Sequence, residues 1–368
     1  MRILIGMSGG LDSTIAAHLL KKQGHETEGL CILMHPGATA EAARAEAEKI
    51  GMPFHTADCR EQFDREVVSV FADEYAHART PNPCVDCNAA VKFAALCDFA
   101  EKNGFDAAAT GHYCRIVKDE ESGRYGIGRA ADGRKDQSYM LWRLSQKQLS
   151  MLIFPLAEEE KTAVRGLARD EGFPEVADAE ESQEICFIPD NDHASFIERR
   201  LGRSFPEGDF IDRDGRTVGR HRGIIRYTIG QRKRLGIALG QPVYVSKIDA
   251  ETNTVTVEPE HEPEIAFAEA DGLNFQLLDP DLVFSPWGKN ASQGENAPQG
   301  EKLHCFVKLR YAAPPVGATV AFLRGENGRE YVRMEFDAPV KAVTPGQSAV
   351  FYDRPDGEGR VLFGGKLK

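Results

Sequence analysis

The sequence predicts an α/β domain with a parallel sheet, then a small central mixed/β domain, then a carboxy-terminal antiparallel β-barrel. Three observations carry this. Strand and helix signals alternate through the first half. After about Pro189 the helix signals fade into Gly, Arg and short β-branched runs, and from about Ala268 short strands recur at regular spacing with turn residues between them. A chain of 368 residues exceeds one ordinary domain, and the changes of texture divide it into 1–195, 196–267 and 268–368.

Taken in order, Ile3–Gly6 is a short apolar strand that runs into a Gly/Ser turn. Ser13 to about Lys22 places Ile15, Ala16, Leu19 and Leu20 on one helical face. Thr27–Leu33 is a second strand, Ala38–Ile50 an Ala/Glu-rich helix that stops before Gly51, Phe54–Thr56 a third strand, and Gln62–Tyr75 a long helix. The prolines of Thr80-Pro81-Asn82-Pro83 exclude helix from that segment. Asn88–Asn103 is helical, Ala107–Thr110 a strand, Lys135–Leu156 one or two further helices, and Lys161–Gly172 another. Ligands of such sheets bind beyond the carboxyl ends of the strands, where Gly6–Ser13 and Thr110–His112 lie. Asp192–Leu201 is the last helix, and Tyr244–Lys247 with Thr254–Val257 forms a hairpin. The barrel strands are Ala270–Phe275, His304–Leu309, Ala318–Leu323, Tyr331–Phe336, Ser348–Tyr352 and Val361–Gly364. Ser285–Gly300, rich in Asn, Gln, Gly and Ser, reads as an exposed insertion.

Hydrophobic residues make up 42% of the chain and charged residues 28%, the balance of a globular protein. No apolar run approaches the ~18 residues that span a bilayer. The run Met1–Met7 lacks the length and cleavage site of a secretory signal, so a cytoplasmic protein with no membrane partner is expected. A net charge of −12 argues, on average, against a nucleic-acid partner. Its distribution argues otherwise. Gly215–Ile237 carries Arg216, Arg220, Arg222, Arg226, Arg232, Lys233 and Arg234, with His221, Tyr227 and no acid, which points to RNA phosphates. Arg310-Tyr311 pairs a cation with an aromatic ring, as suits a phosphate beside a stacked base.

The sharpest motif is Gly6-Met7-Ser8-Gly9-Gly10-Leu11-Asp12-Ser13, set between a strand and a helix. Glycines let backbone N–H groups approach a phosphate, and the helix N-terminus adds unpaired donors and the positive end of its dipole. Ser8 and Ser13 add hydroxyls, while Asp12 is suited to hold Mg2+ or to cap the helix. The Walker pattern with its Gly-Lys-Ser/Thr ending is absent. Among the eight cysteines, Cys31, Cys59, Cys97, Cys114 and Cys305 read as small buried hydrophobes. Cys84 and Cys87, in Thr80-Pro81-Asn82-Pro83-Cys84-Val85-Asp86-Cys87-Asn88, stand at a rigid turn entering a helix, whose N-terminus lowers a thiol's pKa. The second cysteine pair of a structural zinc ribbon is missing. Cys186 lies on a polar approach, Glu181–Ile185, to a short apolar stretch, and alone would be a core cysteine.

The loop resembles that of the PP-loop ATP pyrophosphatases, which have a Rossmann-like sheet. With TPNPCVDCN, ATGHY (Ala109–Tyr113), KDQSY (Lys135–Tyr139), SQEICFI (Ser182–Ile188), YTIGQRKRLGI (Tyr227–Ile237), LRYAAPP (Leu309–Pro315) and PGQSAVFY (Pro345–Tyr352), the chain resembles the tRNA-specific 2-thiouridylases, the MnmA family, nearly end to end. The resemblance implies ATP-dependent 2-thiolation of the wobble uridine, with Cys186 carrying sulfur as a persulfide. Cys87 is then the attacking partner that closes a Cys87–Cys186 disulfide. It implies that Gly6, Met7, Ser8, Gly9, Gly10, Leu11, Asp12, Ser13, Ile32 and Gly111 contact ATP, and that Asn82, Pro83 and Cys84 touch the target base. His112, Lys135, Asp136, Gln137, Arg310, Tyr311 and Gln347 then contact tRNA. A sulfur-relay protein or cysteine desulfurase supplies the persulfide. Many members carry an acid where this chain has Cys84, so the spacing also permits a 4Fe–4S cluster on Cys84, Cys87 and Cys186. The rival readings are a small-molecule PP-loop synthetase, which has no use for the paired thiols, and a non-catalytic RNA-binding protein.

Overall fold

The computed structural model describes residues 1–179, 185–259, 265–284 and 302–368. Strand β1 (Arg2–Gly6) is the centre of the first sheet, with Ile3, Leu4 and Ile5 fully buried, as a strand covered on both faces requires. It passes through the glycine loop into α1 (Leu11–Lys22), followed by β2 (Glu26–Leu33), α2 (Glu41–Ile50) and β3 (Phe54–Asp58). A long helical segment comprises α3 (Arg60–Phe63), a π-turn at Asp64–Val68 and α4 (Ser69–Ala76). Then α5 (Pro83–Cys87) leads through a second π-turn, Asn88–Lys92, into α6 (Phe93–Lys102) and β4 (Ala107–Ala109). A hairpin of β5 (Arg115–Lys118) and β6 (Tyr125–Gly128), α7 (Gln146–Leu149), β7 (Leu152–Ile153), α8 (Lys161–Asp170) and α9 (Pro174–Asp178) complete this part. The sheet runs β3-β2-β1-β4-β7, every pair parallel, with Ile3 opposite both Thr27 and Ala107.

Three expectations change here. Pro83 is the first residue of α5, where a missing N–H costs nothing, so helix begins inside the segment assigned to extended chain. Helix α2 begins at Glu41 rather than Ala38. The Lys135–Leu156 stretch forms only a 3-10 turn at Ser138–Met140, the single turn of α7 and strand β7. Its aromatic residues are claimed by distant partners: Tyr139 Oη donates to the Ser348 carbonyl at 2.9 Å and Trp142 Nε1 to Ser348 Oγ at 2.9 Å. Tertiary anchoring overrides helix propensity.

The central part has α10 (His193–Leu201), capped by Asp192, and a four-stranded sheet of β8 (Gly208–Ile211), β9 (Thr217–His221), β10 (Val243–Asp249) and β11 (Thr254–Pro259), ordered β10-β11-β8-β9. Its core gathers Phe210, Ile224, Tyr227, Val245 and Val255. The last part is a closed barrel of β12 (Ile265–Phe275), β13 (Leu303–Lys308), β14 (Val316–Arg324), β15 (Glu330–Val340), β16 (Ser348–Tyr352) and β17 (Val361–Leu367), ordered β12-β15-β14-β13-β16-β17, with α11 (Pro280–Phe284) against it. Closure leaves no open edge. Its first strand starts at Ile265, ahead of the division expected at 267/268; the insertion expected at Ser285–Gly300 lies outside the described residues. Among the described residues no helix is long and apolar enough to cross a membrane.

The barrel and the first sheet share a core. Val350, Tyr352 and Val361 pack in one cluster with Leu4, Phe93, Tyr139 and Trp142, and Gln276 Nε2 donates to the Leu141 carbonyl at 2.9 Å. The Trp142 ring lies so close to Gly364 that a Cβ there would stand 2.5 Å from it. Gly364→Ala is expected to destabilise the protein by about 1–3 kcal/mol through overpacking, seen as a lowered melting temperature in calorimetry. Gly357→Ala, where nothing lies within 4 Å, is the matched control and leaves it unchanged.

Candidate active site

Gly6 ends β1 and Leu11 begins α1, so residues 7–10 form a loop. Gly9 has φ +79°, and a Cβ there would lie 2.7 Å from Ala42 Cβ, so only glycine lets α2 approach. Gly10 holds the N-cap in extended geometry without a side-chain cap, leaving the first N–H groups of α1 without a side-chain acceptor there. Ser8 and Ser13 hydroxyls stand 3.2 Å apart, and Ser13 Oγ donates to the Gly10 carbonyl at 3.1 Å. Asp12 does not cap the helix, one of its two expected roles. It lies within the first turn, and its carboxylate receives Lys161 Nζ at 2.6 and 2.7 Å and Tyr113 Oη at 2.9 Å. The buried ammonium of Lys161, at the start of α8, requires that counter-charge.

Gly6, Met7, Ser8, Asp12 and Ser13 line a cavity of about 630 Å³ together with Ile32, Lys92, Gly111, His112 and Gln137. This is the size of a small-ligand site. A Cβ at Gly111 would stand 2.5 Å from the Asp12 carbonyl carbon, so the segment after β4 closes directly on α1. Gly10 and Leu11 instead line a second cavity of about 620 Å³, shared with Ser8, Asp12 and Ser13 and walled by Arg134, Lys135, Lys161 and Arg165. Gly9 lines neither cavity among those described, because it is turned against α2.

Asn82 caps α5, its Oδ1 accepting from the Cys84 N–H at 3.2 Å. Cys84 is exposed and Cys87 buried, with Cys87 Sγ donating to Met34 Sδ at 3.5 Å. Cys87 packs with Phe63, Val67, Val68 and Val91, and Phe187 leans on the same cluster. The neighbour of Phe187, Cys186, is exposed and lines a third cavity of about 980 Å³ with Met34, His35, Arg60, Arg199 and Arg200. Met34, His35 and Gly37 line this cavity and the 630 Å³ one. Two thiols distant in sequence thus both reach Met34, Cys87 through its hydrogen bond and Cys186 through the shared cavity wall. The residues Ser182, Gln183 and Glu184 of the same motif lie outside the described residues.

Burial pushes the Cys87 thiol up to about 12; Lys92 opposes this, while Cys186, Cys84 and Asp86 add to it. Burial also raises Cys84, and it raises Cys186 with Cys84 adding, since both sulfurs sit in concave surroundings although their residues reach solvent. This reverses the expectation of a thiol acidified by a helix N-terminus. Helix α5 is barely one turn long, Cys87 is its last residue, and desolvation outweighs the dipole. Among the described residues no three or more His, Cys, Asp or Glu side chains are gathered as a metal-ligand group.

Residues 1–190 match the family described as tRNA methyl transferase HUP domain, residues 194–259 the tRNA methyl transferase PRC-barrel domain, and residues 288–367 the aminomethyltransferase beta-barrel domain. The chain is 40% identical to the tRNA-specific 2-thiouridylase MnmA of Clostridium acetobutylicum, over 100% of this chain and 99% of that one. It is 41% identical to MnmA 2 of Clostridium botulinum (strain Langeland), over 99% and 97%, and 38% identical to MnmA of Acetivibrio thermocellus, over 100% and 98%. The chain belongs to the tRNA-specific 2-thiouridylase family. The domain descriptions speak of methyl transfer, but the relatives matched over their full length are named thiouridylases, and paired thiols beside a glycine loop suit the latter name.

The residues that the thiouridylase resemblance assigns to tRNA fall into four groups. His112 lines the 630 Å³ cavity, tilted against Phe93 at 5.3 Å, and burial, with Lys92, lowers its pKa well below the usual value. Asp136 is turned inward and accepts from Arg129, Ala130 and Ser138, so its carboxylate orders the segment rather than facing outward. Lys135, Gln137 and Tyr311 line the second cavity. Arg310 donates to the Ala342 carbonyl at 2.7 Å, and Gln347 to the Thr80 carbonyl at 2.7 Å, tying the barrel to the turn before α5. In the basic stretch, Arg216 pairs with Asp214, Arg220 with Asp209 and Arg226 with Glu198, acids that the linear sequence places elsewhere. Met34 and His35 were not singled out in the sequence, although they follow the carboxyl end of β2, where such sheets bind ligands.

Gly111→Ala is expected to weaken ATP binding at least about 10-fold, since its Cβ meets the α1 backbone; calorimetric titration checks this. Iodoacetamide at pH 7.5 should label Cys84 and Cys186 before Cys87, whose labelling should accelerate only as pH rises toward its raised pKa. Peptide mass spectrometry reads the order.

Proposed function

We propose that the chain catalyses ATP-dependent 2-thiolation of the wobble uridine of tRNA in the cytoplasm, releasing AMP and pyrophosphate. The supporting observation is the convergence of the glycine-loop cavity and the Cys186 cavity on Met34, His35 and Gly37, with Cys87 bonded to Met34. ATP lies with its phosphates on Gly6–Ser13, against Ile32 and Gly111. Asp12, whose carboxylate also receives Lys161 Nζ and Tyr113 Oη, would hold Mg2+ beside those phosphates, where the ion would neutralise part of their charge.

The uridine leaves its stack to enter, with Asn82, Pro83 and Cys84 at the entrance. Its 2-carbonyl oxygen attacks the α-phosphorus and pyrophosphate departs, leaving the ring carbon electrophilic. The outer sulfur of a Cys186 persulfide attacks that carbon, and AMP leaves with the electron pair of the C–O bond. Cys87 then attacks Cys186 Sγ. The S–S bond breaks, the sulfur stays on the base as the thiocarbonyl, the Cys87 proton passes to the base, and a Cys87–Cys186 disulfide remains. Burial holds Cys87 protonated at neutral pH, which reserves it for this last step. A dithiol reductant resets the pair, and a sulfur-relay protein or cysteine desulfurase reloads Cys186.

Cys186→Ser is expected to abolish 2-thiouridine, read by nucleoside mass spectrometry, while tRNA binding and tRNA-dependent pyrophosphate release persist. Loss of pyrophosphate release as well, or an activity that requires stoichiometric iron, would contradict the proposal.

A further inference from the structure

The π-turn Asn88–Lys92 follows the thiol-bearing helix directly, closed by the Phe93 N–H bonding to the Asn88 carbonyl. Such turns are rare and concentrate at functional sites, because the extra residue re-aims a side chain. Here the turn ends on Lys92, which lines the glycine-loop cavity opposite Ser8, Asp12 and Gly111. Among the described residues its ammonium has no hydrogen-bond or ion-pair partner. Lys161, the other partly enclosed cation at the loop, is bound to Asp12. We propose that Lys92 is a catalytic cation of this reaction: it contacts the α-phosphate in the cavity and holds the negative charge that leaves with AMP.

The inference rests on the thiolation reading and adds a residue to it. In the sulfur-transfer step the C–S bond forms as the C–O bond breaks, and the electron pair of that bond ends on an oxygen of AMP. A fixed ammonium beside that oxygen is worth more in an enclosed cavity than in water and needs no reorganisation during the reaction. The position serves the sulfurs as well. The field of Lys92 favours the thiolate at Cys84, Cys87 and Cys186, against the burial that raises all three, and the neutral form of His112. One charge therefore acts on both the leaving group and the nucleophile. Asp12, Cys31, His35 and His112 line the cavity with Lys92, and its field reaches Cys84, Cys87 and Cys186, with Asp86 acting on Cys87 as well.

The test compares Lys92→Met and Lys92→Arg in the full chain, with tRNA, ATP and a persulfide donor. Lys92→Met should slow single-turnover thiouridine formation about 100-fold with tRNA affinity changed less than about 3-fold, since that affinity is spread over many contacts. It should also move the pH profile of Cys186 alkylation upward. Lys92→Arg should restore at least a tenth of the rate and return the alkylation profile toward that of the unmodified protein. An unchanged rate and profile in Lys92→Met would overturn the inference, as would equal losses in both variants, because charge would then not be what matters. Thiouridine formed by the unmodified chain alongside either result confines the failure to Lys92; its absence there removes the thiolation reading and this inference together.

Discussion

The buried carboxylate of Asp86 is the interaction on which the site's arrangement depends. It sits between Cys84 and Cys87 and is held by the Arg143 guanidinium from the segment before α7 and by Lys366 Nζ at 3.2 Å from barrel strand β17. A buried charge is tolerable only when paired, and removing one partner of such a pair costs about 3–5 kcal/mol. The thiol-bearing helix is therefore fixed by the last strand of the chain. Around the same contact, the Thr80 N–H donates to the Pro345 carbonyl at 2.9 Å and Gln347 returns a bond to the Thr80 carbonyl. The barrel sets the position of the turn that leads into the thiol-bearing helix.

This connection joins the parts of the molecule into one chemical unit. The parallel sheet supplies the glycine loop at the end of β1 and the Met34–His35 wall after β2, both at the carboxyl edge where such sheets bind ligands. The segment that leads into α10 brings Phe187 onto Phe63 and Phe71, at 5.5 and 5.4 Å, and with it seats Cys186 beside the Cys87 cluster. The acidic balance of the whole chain is compatible with an RNA substrate because the cations are local. Arg222, Arg232, Lys233 and Arg234 have no acidic partner among the described residues, while Arg216, Arg220 and Arg226 are paired with acids.

Much of this was legible in the sequence where a single local cause decides the structure. The glycines of the loop and the even spacing of the barrel strands each state a backbone requirement directly, whereas Gly111 entered only through the family resemblance. What could not be read depends on partners distant in the chain. Asp12 has a capping residue's chemistry, but Lys161 claims it. The paired thiols stand at a helix start, yet burial by Phe63, Val67 and Val91 reverses the direction of their pKa shift. Hairpin β5–β6 and strands β8 and β9 are short, rich in Gly or charge, and only their packing makes them strands. Asp136 and His112 carry the polar character of RNA contacts, but the fold turns the first inward and encloses the second in the cavity.

The central claim is that two distant thiols and one nucleotide act on the same base. Peptide mapping of the protein after one turnover, with Cys186 preloaded as persulfide and no reductant present, tests it most directly. The account predicts one Cys87–Cys186 disulfide for each thiouridine formed, dependent on both ATP and tRNA. Thiouridine formed with both cysteines still reduced, or with a Cys84–Cys87 disulfide in its place, would contradict it.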